Sequence, residues 1–340
     1  MATLRNSLNS GRRSIHRLLL LIGIISLGVW LAFDRHQLHQ FFHILSRIRW
    51  YYLVLIIALQ IVSYIVNAYY YRSIVRALGF KLTVYRCFGG ALASNFANFI
   101  LPSAGFAGAG FLSQVFKPEV PRGIGMLTQY VRYVFSTFAT LIFMPLGVVL
   151  VLANRSHSAE AYGVISSAAI CVACIALLII GVVVLLRNES TFKRSVWWLS
   201  IKLGKWVSSG QKRSTQELID EFYDGVGVVR RNVRALSVPA AWSIAYILIS
   251  LGMLYMIFPA LGSYASPGTV IMAYLLATIV SVFGGEFIST GVFEVGMSTT
   301  LVALGEPFAL AVSATILYKF LNLCIGLPLG FYYYDRYLPE

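Results

Sequence analysis

Four ionisable side chains stand in or beside long apolar runs: Arg132, Lys319, Glu286 and Glu294. Arg132 comes nine residues after Gly123 and Lys319 eleven after Phe308, where their apolar stretches begin. A charge at the centre of a bilayer costs about 2.5–3.5 kcal/mol on insertion scales, so it normally faces a cavity or a partner. One reading makes Arg132 and Lys319 two cations for an anionic phosphate group. The other gives each a structural ion pair with Glu286 or Glu294, or lets it snorkel to the interface. A carboxyl group in a low-dielectric site stays protonated until a partner or water arrives. Glu294 and Glu286 could therefore carry a proton or simply hold Lys319.

The residues beside these charges break helices or carry polar groups. Asn98 and Pro102 precede Gly105 in the run Leu101-Pro-Ser-Ala-Gly-Phe-Ala-Gly-Ala-Gly110, and Gly291 closes Phe283-Gly-Gly-Glu-Phe-Ile-Ser-Thr-Gly291. Such turns offer backbone N–H groups to an anion, or simply let helices pack closely through small residues. Asn95, Asn98, Gln129 and Asn322 either line a polar path or bond between helices.

Other chemistry is poorly supported. The acids Glu217, Asp220, Glu221 and Asp224 form one cluster on an amphipathic stretch where a solvated face explains them. There is no Walker A loop, zinc-protease motif or nucleophile elbow. Cys171 and Cys174 have redox-motif spacing but lie in an apolar run with nothing to stabilise a thiolate. His36, His39 and His43 fit an interfacial helix. No enzyme activity, metal or cofactor is expected.

The elements that position these residues are membrane helices. Hydrophobic residues make up 58% of the chain and charged ones 12%, about half the share of a soluble domain. The net charge of +14 would suggest nucleic acid in a soluble protein, but most of the basic residues lie between apolar runs, as on membrane surfaces facing anionic lipid. Spans are expected at 18–33, 50–71, 123–153, 162–186, 239–260 and 308–334. In the second, Trp50, Tyr51 and Tyr52 at one end and Tyr69, Tyr70 and Tyr71 at the other read as two aromatic belts. Residues 192–211 suit a helix lying on an anionic surface.

Stretches 84–116 and 268–304 are apolar but broken midway. Unpaired backbone in lipid is tolerated only where protein or a water-filled cavity meets it. Each is therefore read as a re-entrant hairpin of two half-helices. If 84–116 returns to its own side, the basic segments after it all share the face of the N-terminus, which the positive-inside rule makes cytoplasmic. The halves then repeat: Gly105 precedes Arg132 by 27 positions and Gly291 precedes Lys319 by 28, while Pro145 and Pro328 interrupt the two long helices. The expected fold is an all-α polytopic bundle forming one transmembrane domain over 1–340, with about six to eight membrane segments. Its first half is 18–153, its cytoplasmic amphipathic loop 187–238 and its second half 239–334, with opposed orientation as in inverted-repeat transporters.

Gly291-Val-Phe-Glu294, Leu304-Gly-Glu-Pro307, Ala309–Ala314 and Leu317-Tyr-Lys319, together with Asn98–Gly105, resemble the lysylphosphatidylglycerol synthase transmembrane-region family, also called the flippase-like domain. The likeness runs from about Leu18 to Tyr334. This chain departs from many relatives in having Phe106-Ala-Gly-Ala-Gly110 where they carry Glu and Arg, Lys319 where they carry Arg, and Ser289-Thr290-Gly291 where they carry Pro and glycines. The resemblance implies movement of a phospholipid or polyprenyl-linked lipid between leaflets of the cytoplasmic membrane. The partners are then anionic or phosphate-bearing membrane lipids, and the aminoacyl-transferring synthase domain is absent. The alternatives are an accessory or catalytic subunit working with envelope-biosynthesis enzymes in lipid glycosylation, or a structural scaffold.

Overall fold

The computed structural model of the chain describes residues 48–100, 105–117, 119–153, 159–187, 209–231 and 233–337. Among them the regular elements are all helical. They are α1 Trp50–Ala77, α2 Val84–Ile100, α3 Phe106–Phe116, α4 Arg122–Ala153, α5 Ala159–Arg187, α6 Ser209–Arg231, a 3-10 turn Val233–Leu236, α7 Ser237–Ala260, α8 Pro267–Ala303 and α9 Phe308–Tyr337. Among the described residues four segments are long and apolar enough to cross a membrane: α1, α4, α9 and Arg234–Ala260. The span expected at 18–33, the histidines at 36–43 and most of the surface helix expected at 192–211 lie outside the described residues.

Local sequence sets the helix ends. α1 stops at Gly79, whose positive φ of 91° lets the Phe80 N–H reach back to the Val75 carbonyl at 3.0 Å. α7 and α8 stop in the same way at Gly262 and Gly305. α8 starts with Ser266 accepting from the Thr269 N–H at 3.1 Å and with Pro267 in the first turn, where its missing N–H costs nothing.

α1 and α7 run antiparallel. The Arg49 N–H donates to the Ala260 carbonyl at one end, and Tyr69 stacks on Trp242 at the other with ring centroids 5.3 Å apart. The aromatic belt expected at Tyr69, Tyr70 and Tyr71 is only partly present. Tyr69 is exposed, whereas Tyr70 and Tyr71 are fully buried and face the bundle, because successive residues on a helix point about 100° apart.

α2 and α3 form the first hairpin. The Asn98 side chain accepts from the Gly108 N–H near the tip. At the base, Arg86 pairs with Glu119 and donates through Nε to the Val115 carbonyl at 2.9 Å. The hairpin therefore returns to the face it left. Gly105, beside the tip, lies against Tyr133, which is eleven residues into α4, about 16 Å at 1.5 Å per residue. That is about the middle of a ~30 Å hydrocarbon core.

α8 forms the second hairpin, although its backbone is helical over Pro267–Ala303 without the expected interruption at 283–291. Ala277 and Gly296 would stand about 28 Å apart on a straight helix. Instead, a Cβ on Gly296 would lie 3.4 Å from the Ala277 Cα, and the Tyr274 and Phe293 rings are 6.3 Å apart. The chain reverses between Ala277 and Phe293, which brackets the predicted break.

The two hairpins have their bases on opposite faces. The base of the first shares a face with the end of α9, where Gly89 meets Tyr333 and Tyr337. α8 starts at the other face, with Gly268 against Leu150 and Val151 at the far end of α4. Arg72, Arg76, Lys81, Arg86, Lys117, Arg122, Arg234 and Arg336 lie at or near helix ends on the first face. Apolar side chains gather into two clusters, one around each hairpin: Tyr70, Leu112 and Phe116 in the first, Met272, Leu275 and Ala311 in the second.

Candidate functional site

Arg132 projects from α4 at the level of the first hairpin's tip. Its guanidinium carbon lies 5.4 Å from the Tyr71 ring centre and 4.9 Å from that of Tyr133, so two aromatic faces hold the cation. The Tyr70 hydroxyl donates to the Arg132 carbonyl at 2.9 Å, and the Tyr71 hydroxyl donates to Gln129 Oε1. The hairpin tip completes the arrangement. Asn98 Nδ2 donates to the Tyr133 hydroxyl at 3.3 Å, while Gly105, with φ of 88°, leaves room for that ring where a Cβ would come within 3.0 Å.

Several buried polar atoms here have no partner: Arg132 Nε, Gln129 Nε2 and the Tyr130 hydroxyl. All belong to one turn of α4. Among the described residues no carboxylate pairs with Arg132, since the ion pairs there are Arg86–Glu119 and Lys319–Glu294. Leaving buried donors unsatisfied is costly, so such a group marks a place for an acceptor. Arg132 Nε is thus a buried donor with room for an acceptor, while Gln129 and Tyr130 leave the Arg132 helix in other directions.

Lys319 is placed differently. Its Nζ lies 3.1 Å from Glu294 Oε1 on the returning arm of α8, and 5.7 Å from the centre of the Phe293 ring. Phe293 in turn stacks on Tyr318, with centroids 6.0 Å apart and planes 25° apart. Glu294 Oε2 is buried without a hydrogen-bond partner.

The eight residues singled out from sequence thus divide. Arg132, Asn98 and Gly105 come together around Tyr133, and Lys319 comes together with Glu294. Gly291 lies in helical backbone, exposed and with open space around it, rather than in a turn presenting N–H groups. Pro102 and the side chain of Glu286 fall outside the described residues. Sequence reading missed the roles of Tyr71 and Tyr133. The available signal was the i, i+1 pair Arg132-Tyr133 beside Gln129 and Tyr130, a polar aromatic turn inside an apolar helix.

α6 covers the start of α4. Glu221 Oε2 accepts from the Gly123 N–H at 2.7 Å, a carboxylate at a helix N-terminus. Phe222 packs edge-on to Tyr130 at 5.9 Å. Glu221 therefore does more than form a solvated face.

This architecture defines an all-α integral membrane protein with two oppositely inserted hairpins and two cation-bearing long helices. The chain belongs to the lysylphosphatidylglycerol synthase TM region family, whose sequence model matches residues 18–330, nearly its whole length. That family is a membrane domain of the flippase-like type, which fits a lipid-transport role. No curated protein and no solved structure matches the chain.

Proposed function

We propose that the protein moves a phosphate-bearing membrane lipid between leaflets and that Arg132 binds the anionic headgroup during passage. The observation that carries this reading is the Arg132 guanidinium itself, placed over two tyrosine rings, with its Nε buried and unpaired and with no carboxylate partner among the described residues. Guanidinium edges donate two parallel hydrogen bonds to phosphate oxygens. Tyr71 and Tyr133 hold the group through their rings, and its unpaired Nε is a donor left for a ligand. The lipid tails stay in the bilayer while the headgroup crosses along protein. The reading requires binding and movement only, with no covalent step.

The same proposal sets the orientation. The face that carries Arg72, Arg76, Lys81, Arg86, Lys117 and Arg122 is cytoplasmic by the positive-inside rule, in the cytoplasmic membrane. The test is leaflet exchange of fluorescent phosphatidylglycerol in liposomes containing only the purified protein. The wild type should accelerate exchange, and Arg132→Gln should lower the rate at least about tenfold, a loss of about 1.4 kcal/mol. Equal rates for wild type and Arg132→Gln, with both proteins folded, would remove Arg132 from the path.

A further inference from the structure

The two halves of the molecule hold their cations in opposite conditions. Arg132 has aromatic neighbours, a buried and unpaired Nε and no carboxylate partner among the described residues. Lys319, on the corresponding long helix of the other half, already has an anion, since Glu294 Oε1 is 3.1 Å away. That pair is not sealed: the Lys319 and Glu294 side chains keep 26% and 21% of their exposure. That remaining exposure leaves the pair open to an anionic headgroup arriving from its side. Only one Glu294 oxygen is engaged, because Oε2 is buried without a hydrogen-bond partner.

We propose that Glu294 is a tethered stand-in for the lipid's phosphate. It occupies Lys319 while the headgroup rests at Arg132, and it gives way when the headgroup reaches Lys319. The inference rests on the reading of Arg132 as the headgroup site and adds a second, masked anion site of the same chemistry.

Position makes the exchange consequential. Glu294 belongs to the returning arm of α8 and Lys319 to α9, so their contact ties the second hairpin to the long helix beside it. The Phe293–Tyr318 stack is the neighbouring apolar tie, and the Tyr274 ring lies 6.3 Å from Phe293 and 6.2 Å from Tyr318. An anion that displaces Glu294 removes the polar tie and leaves the apolar one. The returning arm is then freer to move on its aromatic contact. The first hairpin has no such internal anion: its tip is held by the neutral Asn98–Tyr133 hydrogen bond. The asymmetry gives the headgroup an open site in one half and a site it must win in the other.

The experiment counts bound soluble dihexanoylphosphatidylglycerol on the purified full chain in detergent, with inorganic phosphate as a parallel probe. The wild type should bind one lipid tightly. Glu294→Gln should bind a second with at least about tenfold higher affinity than the wild type shows for any second molecule. Glu294→Gln with Lys319→Gln should return to one, and Arg132→Gln with Glu294→Gln should keep one. Binding of the lipid but not phosphate identifies a headgroup held with its glycerol, while equal binding of both identifies a bare phosphate site; either outcome supports a masked anion site if Glu294→Gln unmasks it. If Glu294→Gln binds as the wild type does while Arg132→Gln loses its lipid, the stand-in role is overturned and the headgroup site stands. If Arg132→Gln keeps its lipid, the headgroup site itself fails.

A second measurement uses an intact ion pair. Gly291 is exposed with open space around it, so Gly291→Cys tolerates its new side chain and reports on the returning arm. Its labelling rate should rise several-fold when lipid is added well beyond the amount that fills the Arg132 site, and the rise should vanish in Gly291→Cys with Lys319→Gln. A rate indifferent to lipid, in protein that still binds lipid at Arg132, overturns the proposal.

Discussion

Gly147 on α4 and Gly330 on α9 each stand two residues beyond a proline, in Pro145-Leu-Gly147 and Pro328-Leu-Gly330, and each receives the first arm of the other half's hairpin. A Cβ on Gly147 would lie 2.8 Å from Met272 Sδ and 2.9 Å from Ile271 Cγ2. A Cβ on Gly330 would lie 2.9 Å from the Leu92 carbonyl oxygen and 2.9 Å from Phe96 Cβ. Side-chain ends can swing away, whereas a carbonyl and a Cβ move only with their backbone. Gly330→Ala should therefore cost about 1–3 kcal/mol, the usual range for overpacking. Gly147→Ala should be near neutral, since alanine also regains about 1 kcal/mol of helix propensity. Thermal unfolding in detergent checks the order; a larger loss at Gly147 would contradict the packing of α2 on α9.

The opposed hairpin bases make a labelling prediction. Lys117 lies just past the first hairpin on the basic face, and Tyr264 is 73% exposed beyond the end of α7 on the other face. In intact cells an impermeant thiol reagent should modify Tyr264→Cys and spare Lys117→Cys. The reverse pattern would invert the proposed orientation. Labelling at both positions would mean that α1, α4 or α7 does not cross.

The two aromatic neighbours of Arg132 predict that Arg132→Lys is a poor replacement. Lysine keeps the charge but lacks the flat group that lies over the Tyr71 and Tyr133 rings and the fork that meets two phosphate oxygens. Leaflet exchange should fall about tenfold while the melting temperature changes little. Full transport with Lys would show that charge alone is read.

Glu306 sits in the short connection between α8 and α9, and burial holds its carboxyl above the usual carboxylate range. The native state then keeps this proton at pH values where the unfolded chain has released it. Its contribution to stability accordingly falls as pH rises through that window. Glu306→Gln should flatten the part of a melting-temperature profile that lies just above the ordinary glutamate range. An unchanged profile would show that Glu306 titrates alike in both states.

Most of the fold was legible because lipid imposes strict rules on sequence. The spans at 50–71, 123–153, 162–186, 239–260 and 308–334 fall within α1, α4, α5, α7 and α9. The hairpins were legible because Gly, Pro and polar residues midway in apolar runs need shelter. The site was legible only as isolated charges. Tyr71 was assigned to an interfacial belt with Tyr69, because a run of tyrosines near a helix end carries no sign of which member turns inward. Pairing the halves by their glycine-to-cation spacing also hid the Pro-Leu-Gly repeat. That repeat comes thirteen residues after Arg132 but nine after Lys319, a difference of about one helical turn. The Lys319–Glu294 pair was open from sequence, since Glu286, eight positions before Glu294, was also a candidate partner.

The tip of the first hairpin gives the last prediction. Asn98 is 3% exposed and serves two elements at once, accepting from the Gly108 N–H and donating to the Tyr133 hydroxyl at 3.3 Å. Asn98→Ala leaves a buried backbone donor unsatisfied, which costs about 1–3 kcal/mol, and it also frees Tyr133 beside Arg132. Tyr133→Phe removes the second bond and keeps the ring beside the guanidinium, so it should cost about 0.5–1.5 kcal/mol. Gly105→Ala strains a residue at φ of 88° and crowds the same ring, costing about 1–2 kcal/mol from the backbone alone. If Tyr133 positions the cation through its ring, Tyr133→Phe should retain leaflet exchange and Tyr133→Leu should lose most of it at similar stability. Melting temperatures paired with the liposome assay separate the two effects. Loss of transport in Tyr133→Phe without loss of stability would instead assign the Tyr133 hydroxyl to the lipid.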